Sequence, residues 1–366
     1  MANNAKVREP LIHISKRDTV PLKFSIIVRA IAIVSALLLC ALLASFTTKG
    51  GFFGFFVELF SGLFGTPRRI WNLLQALAIL LGISLAVTPA FKMKFWNIGA
   101  EGQTLIAGLA CAACMKFLGG TMPEFVLILI SLIASVIAGA VWAVIPAIFK
   151  AFWNTNETLF TLMMNYIIIG VVAWLQGGPW EGRKGSQIIP MFNNNARLPE
   201  VFGIHCGWII VLILVVFMHI YMNYTKQGYE IAVIGDSENT ARYAGMNVGR
   251  IMERTMFLSG AICGIVGFIV VSGANYTLYS GVANGVGFTS ITVAWLSHLN
   301  AFAMIAISMI LAILTKGSST LQTKLQVPAS ISEIVTGILL FCMLSSEFFI
   351  NYKIIIRHKN KKEVNA

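Results

Sequence analysis

Long apolar blocks alternate with short polar stretches along this 366-residue chain. Most blocks approach the roughly 20 residues that a helix needs to cross a bilayer core of about 30 Å. The pattern predicts ten spans, over residues 26–46, 71–91, 101–118, 125–148, 157–176, 207–223, 255–273, 284–298, 301–315 and 330–350. Barrel strands alternate in segments of about 10 residues, so a transmembrane barrel does not fit. The expected fold class is all-α, a polytopic helical membrane protein with both termini cytoplasmic. Residues 1–25 form a basic N-terminal segment, 26–350 the transmembrane domain and 351–366 a basic tail.

Composition sharpens this picture. Hydrophobic residues make up 57% of the chain and charged ones 11%, with a mean hydropathy of +0.80. A soluble domain carries about 25% charged residues. The net charge of +12 gathers on one face when the chain is threaded by the excess of Lys and Arg inside. The N-terminal segment, Lys92, Lys94, Lys150, the loop 224–254 and the tail then fall on the cytoplasmic side, while Arg68 and Arg69 fall outside. Anionic lipid is the expected partner of that basic face, and nucleic acid is not. The block 26–46 exceeds the 7–15 residues of a signal-peptide core and reads as a retained first span.

Little points to covalent chemistry. Cys111 and Cys114 form a CxxC, but inside an apolar run without a second cysteine pair or a nearby histidine. They read as small residues that let helices approach. The chain has no phosphate loop, no H-E-x-x-H and no G-x-S-x-G. No catalytic residue, metal site or cofactor of its own is expected, and any ATP-driven step needs another chain.

The polar residues inside the apolar pattern are therefore the informative ones. In "FWNIGAEGQT" (95–104), Asn97, Glu101 and Gln103 sit between two apolar runs. Ionisable groups within spans are expensive and point to function. Glu101, Glu157, His219, His298, Glu333 and Glu347 are such groups, with His219 and Glu347 near span ends, in reach of water. Glu101 and Glu157 each open a span beside an asparagine, Asn97 or Asn156, where the helix dipole favours a carboxylate. That placement is compatible with capping and with transport alike.

Glycines break the helix within 97–103, and broken helices at membrane depth are tolerated where they are buried or line a cavity. A second interruption, "NGVGFTS" (284–290), again follows an asparagine with spaced glycines. Paired interruptions in two halves point to a transport site and to internal repetition.

Two hydrophilic segments complete the pattern. The outer one, 177–206, either receives a partner or substrate or caps the helices. In the inner one, Asp236 or Ser237 is positioned to cap a short helix over Ser237–Tyr243 that ends at Gly245.

The stretches "NIGAEGQ" (97–103), "NETLFTLMMNYI" (156–167), "GYEIAVIGDSENTARYAGMNVGRIMERTMFLSGAICGIVG" (228–267) and "NGVGFTSITVAWLSHLNAFAM" (284–304) occur in this order. Together they resemble the permease subunits of ABC importers for nucleosides and simple sugars, within the branched-chain amino acid and ribose permease group. The long outer segment, with "GPW" and "ARLP", resembles the larger of two paired permeases in purine nucleoside importers.

The resemblance implies a translocation path near Asn97, Gly99, Glu101, Gly102, Gln103, Asn156, Glu157, Asn165, Tyr166 and Asn284. It implies a segment that docks on the ATPase, carried by Asp236, Ser237, Glu238, Ala241, Arg242 and Gly245. It further implies separate partners: an ABC ATPase that binds ATP and magnesium, a second homologous permease forming a heterodimer, and an extracellular substrate-binding lipoprotein. His298 stands where the family pattern favours Gly, and Ala301 where Pro is common.

Three functional readings follow. The first is the membrane subunit of an ATP-driven purine nucleoside importer. The second keeps the architecture and changes the cargo to ribose, another simple sugar or a branched-chain amino acid. Asn97, Gln103, Asn165, Tyr166 and Trp174 would suit a nucleoside and a sugar almost equally. The third is a secondary transporter driven by protons or sodium, with Glu101, Glu157 or Glu333 as carrier.

Overall fold

The computed structural model describes residues 12–17, 20–47, 51–190, 197–201, 203–283, 285–325 and 329–356. Its helices, in chain order, begin with α1 (Leu22–Thr47), α2 (Gly51–Phe64), α3 (Pro67–Lys92), α4 (Ala100–Leu118), α5 (Glu124–Trp153) and α6 (Glu157–Gln176). They continue with α7 (Gly207–Tyr224), α8 (Lys226–Asp236), α9 (Glu238–Tyr243), α10 (Val248–Ile269), α11 (Val286–Leu296), α12 (Ala301–Leu325) and α13 (Ala329–Asn351). A π-helical turn, Val270–Asn275, extends α10. The short strands are β1 (Ile12–Lys16), β2 (Ile189–Pro190), β3 (Glu200–Val201), β4 (Ile204–His205), β5 (Thr277–Leu278) and β6 (Tyr352–Ile356).

Among the described residues, eight helices are long and apolar enough to cross a membrane. The ten expected spans resolve into these eight, α4 and α11. The 19-residue α4 has the length, but Glu101 and Gln103 make its first turn polar. The span expected over 284–298 is corrected by the structure. Its helix, α11, has only 11 residues, a rise of about 16 Å and half a bilayer core. The sequence reading also passed over α2, a 14-residue phenylalanine-rich helix too short to cross.

Two compact units divide the chain. The first comprises residues 1–62 and 317–366. In it α1 packs along α13, and Arg29 pairs with Glu347 at 3.2 Å. β1 runs antiparallel to β6, with Ile14 opposite Ile354. β1 leads into α1 and β6 follows α13, so the pairing joins the start of α1 to the end of α13.

The second unit, residues 63–316, is built around the crossing of α5 and α10. Small residues permit a close approach there, since lipid supplies no hydrophobic drive between helices. A Cβ on Gly260 would collide with the carbonyl oxygen of Gly139. α4 packs on both helices, and Ser135 of α5 donates to the Ala107 carbonyl of α4 at 2.9 Å. Cys111 is fully buried in this packing and Cys114 partly so, both as free thiols.

Candidate translocation and coupling sites

The chain between α3 and α4 turns inside the protein, and a break of this kind leaves backbone groups that need partners. Side-chain amides supply them. Asn97 Oδ1 accepts the Gly99 N–H at 2.9 Å and Gln103 Nε2 at 3.1 Å. Its Nδ2 lies 3.3 Å from both Gln103 Oε1 and Ser259 Oγ of α10. From α6, Thr161 Oγ1 accepts the Ile98 N–H at 3.2 Å. Asn165 donates to the Ile98 carbonyl and accepts the Gly102 N–H, each at 2.9 Å. Asn97, Gln103 and Asn165 are buried, so in this conformation their polar atoms hold the turn.

Glu101 does not act on its own helix. Its carboxylate crosses to the start of α11, where Oε1 accepts the Gly285 N–H at 2.9 Å and Oε2 the Gly287 N–H at 2.6 Å. The first turn of a helix presents unpaired N–H groups and a partial positive charge, and the carboxylate meets both. Gly285 takes the left-handed backbone, φ +73°, that this entry requires. At the far end of α11, Trp295 stacks on Trp96 with ring centroids 5.6 Å apart, and Phe91 packs against both.

Other expected path residues fall elsewhere. Asn156 caps α6 by accepting the Leu159 N–H at 3.1 Å, as an asparagine beside a helix start does. Glu157 pairs with Lys150 of α5 at 3.1 Å. Tyr166 and Trp174 are exposed on α6, away from the amide cluster. Asn284 lies outside the described residues, and so does the side chain of Glu333.

The inner segment folds as a helical hairpin. Ser237 caps α9 by accepting the Thr240 N–H at 3.2 Å, Glu238 pairs with Arg242 at 2.6 Å, and Gly245 follows at φ +76°. Asp236 ends α8 rather than capping α9. Ala241, with Ile231 and Ile234 of α8, is buried in a cluster with Ala90, Ala147, Tyr221 and Val248 from the neighbouring ends of α3, α5, α7 and α10. Glu230 of α8 pairs with Arg254 of α10 at 2.7 Å. The hairpin is thus fixed to four helix ends, while Tyr243 at its tip is 93% exposed.

Segment 177–206 is strapped to the chain beyond α10. β2 pairs with β5, the Leu198 N–H donates to the Ser272 carbonyl at 3.1 Å, and Arg197 lies over the Tyr276 ring. Gln176 accepts the Ser280 N–H at 2.7 Å. Through these contacts the described parts of the segment are held against residues 272–280.

With this geometry in view, comparison with known proteins is specific. Residues 69–344 match the family of branched-chain amino acid transport system permease components. The chain belongs to this family. The permease is similar to a glucose ABC transporter permease, TsgB13, of Haloferax volcanii, with 29% identity over 82% of this chain and 81% of that one. It is 28% identical to the guanosine permease NupP of Bacillus subtilis over 79% of this chain and 84% of the relative. The nucleoside permease NupB of Lactococcus lactis is 26% identical over 86% and 90%. The chain is a multi-pass membrane transport subunit of the nucleoside and sugar ABC importer family, which overturns the ion-coupled alternative.

Several contributors to the permease sites escaped sequence reasoning. Ser259 and Thr161 complete the amide cluster, but a lone hydroxyl in an apolar run gives no signal. The hairpin's first helix, α8, was legible in principle from Thr225, which caps it, and from Ile231 and Ile234 three residues apart. Trp96 and Trp295, 199 positions apart in chain numbering, could be paired only by the fold.

Proposed function

We propose that this permease imports purine nucleosides by ATP-driven alternating access. The observation that carries the mechanism is the α8–α9 hairpin, anchored on four helix ends and exposed at its tip. A push on α9 by an ATPase subunit passes directly to α3, α5, α7 and α10. ATP and magnesium belong to that subunit. A second homologous permease completes a heterodimer, and an extracellular substrate-binding lipoprotein delivers the cargo. Guanosine as cargo is supported by the similarity to the guanosine permease NupP, and a nucleoside more broadly by that to NupB.

Uptake of labelled guanosine or inosine by cells with and without this chain tests the reading, with excess ribose or leucine as competitors and with ATP depleted. Loss of uptake without the chain, sensitive to ATP and indifferent to ribose, is expected. Unchanged nucleoside uptake overturns the cargo. A second reading, a simple sugar as cargo, is favoured by the similarity to TsgB13 and predicts that ribose or glucose competes.

A further inference from the structure

We infer that α11 is carried by α3 and α4 together rather than by its own chain neighbours, and that Glu101 is the positioning residue that fastens it to α4. The inference rests on the permease reading above. Both oxygens of Glu101 are engaged, with the N–H groups of Gly285 and Gly287. A capping group normally comes from the residue just before the helix. Here it arrives from 184 residues away. The backbones themselves touch, since a Cβ on Gly287 would lie 2.6 Å from the Glu101 nitrogen. The stacked Trp96–Trp295 pair makes a second tie at the other end of α11. Both ties lead to the chain around the first interruption.

The covalent neighbours of α11 are, by contrast, irregular. On one side lie the π-turn Val270–Asn275, a geometry frequent at functional sites, and the loop after it. On the other side the chain turns through His298 and Leu299, both left-handed, at φ +51° and +60°. When the permease rocks, α11 stays with α4, and the strain is taken up at 270–283 and 297–300. Glu101 then acts on transport through α11, without touching cargo.

The test uses the whole importer in liposomes, with spin labels on cysteines replacing Phe117 of α4 and Phe288 of α11, both exposed. The label separation is measured without nucleotide and with ATP trapped. The same separation in both states is expected, and a nucleotide-dependent change overturns the inference. In Glu101→Gln one of the two bonds is lost. Transport should fall about tenfold, as for the loss of one charge-assisted hydrogen bond, while ATP hydrolysis continues. A general fold defect would instead lower both in step, and either that result or import at the unaltered rate overturns the role. Guanosine import by the unsubstituted importer is the control: its absence removes the cargo assignment and leaves the distance measurement standing.

Discussion

Asn165 Oδ1 accepts the backbone N–H of Gly102 at 2.9 Å, joining α6 to the first turn of α4 across 63 residues of chain. The same side chain holds the Ile98 carbonyl on the other side of the break. In Asn165→Leu both backbone groups lose their partner, at about 1–3 kcal/mol each. Thermal unfolding in detergent should show a clearly lowered midpoint, and uptake should be lost. Asn165→Asp keeps the acceptor and should fall between; equal stability of all three proteins would remove the clamp.

Arg242 and Glu238 form an exposed pair, which contributes at most a few tenths of a kcal/mol. Arg242→Glu should therefore leave membrane insertion and unfolding unchanged while abolishing uptake. Gly245→Trp should also abolish uptake and keep membrane insertion, but with a lowered unfolding midpoint: nothing lies within 4 Å of a Cβ there, yet its φ of +76° costs a side chain about 1–2 kcal/mol. Normal uptake by both variants would dissociate α9 from energy coupling.

His298 sits in the left-handed region, which costs a non-glycine residue about 1–2 kcal/mol. His298→Gly should raise the unfolding midpoint by an amount equivalent to about 1 kcal/mol, read by thermal unfolding in detergent. A lowered midpoint would mean that the imidazole's own contacts outweigh the backbone strain.

His205, just before α7, is buried against Gly273 and Gly207, and its Nδ1 accepts the Gly207 N–H at 3.2 Å. Burial pushes its pKa below the ordinary histidine value. Below about pH 6.5 the unfolded chain takes up a proton that the folded chain resists. Its contribution to stability is therefore complete above that pH and declines as pH falls toward the folded-state pKa. Unfolding midpoints at pH 7.5 and 5.5 should differ more for the unsubstituted protein than for His205→Asn; an equal drop would assign the pH dependence elsewhere.

Where local chemistry decides, the sequence was readable. Ser237, Gly245 and the apolar blocks marked α9 and most of the spans within a few residues. Asn156 announced the start of α6. The interruption at 97–103 was visible as glycines among polar residues, but the object of Glu101 was not. A carboxylate in a first turn reads as a partner for its own helix, and only the packing of α4 on α11 turns it outward. The length of α11 was misjudged for a related reason. The apolar residues of 284–298 run past the interruption at its start, whereas the backbone is helical only from Val286 to Leu296 and then reverses at His298 and Leu299.

The pairing of β1 with β6 sets an order of events in biosynthesis. At typical translation rates of about 5–20 residues per second, the first strand emerges roughly 20–70 s before its mate exists. Throughout that interval it has two open edges beside a nascent membrane protein, the situation in which strands recruit unwanted neighbours. Lys16 in the strand and Arg17 after it provide the charge that discourages such pairing. Closure of the clasp has to await synthesis of α13, which precedes β6 in the chain.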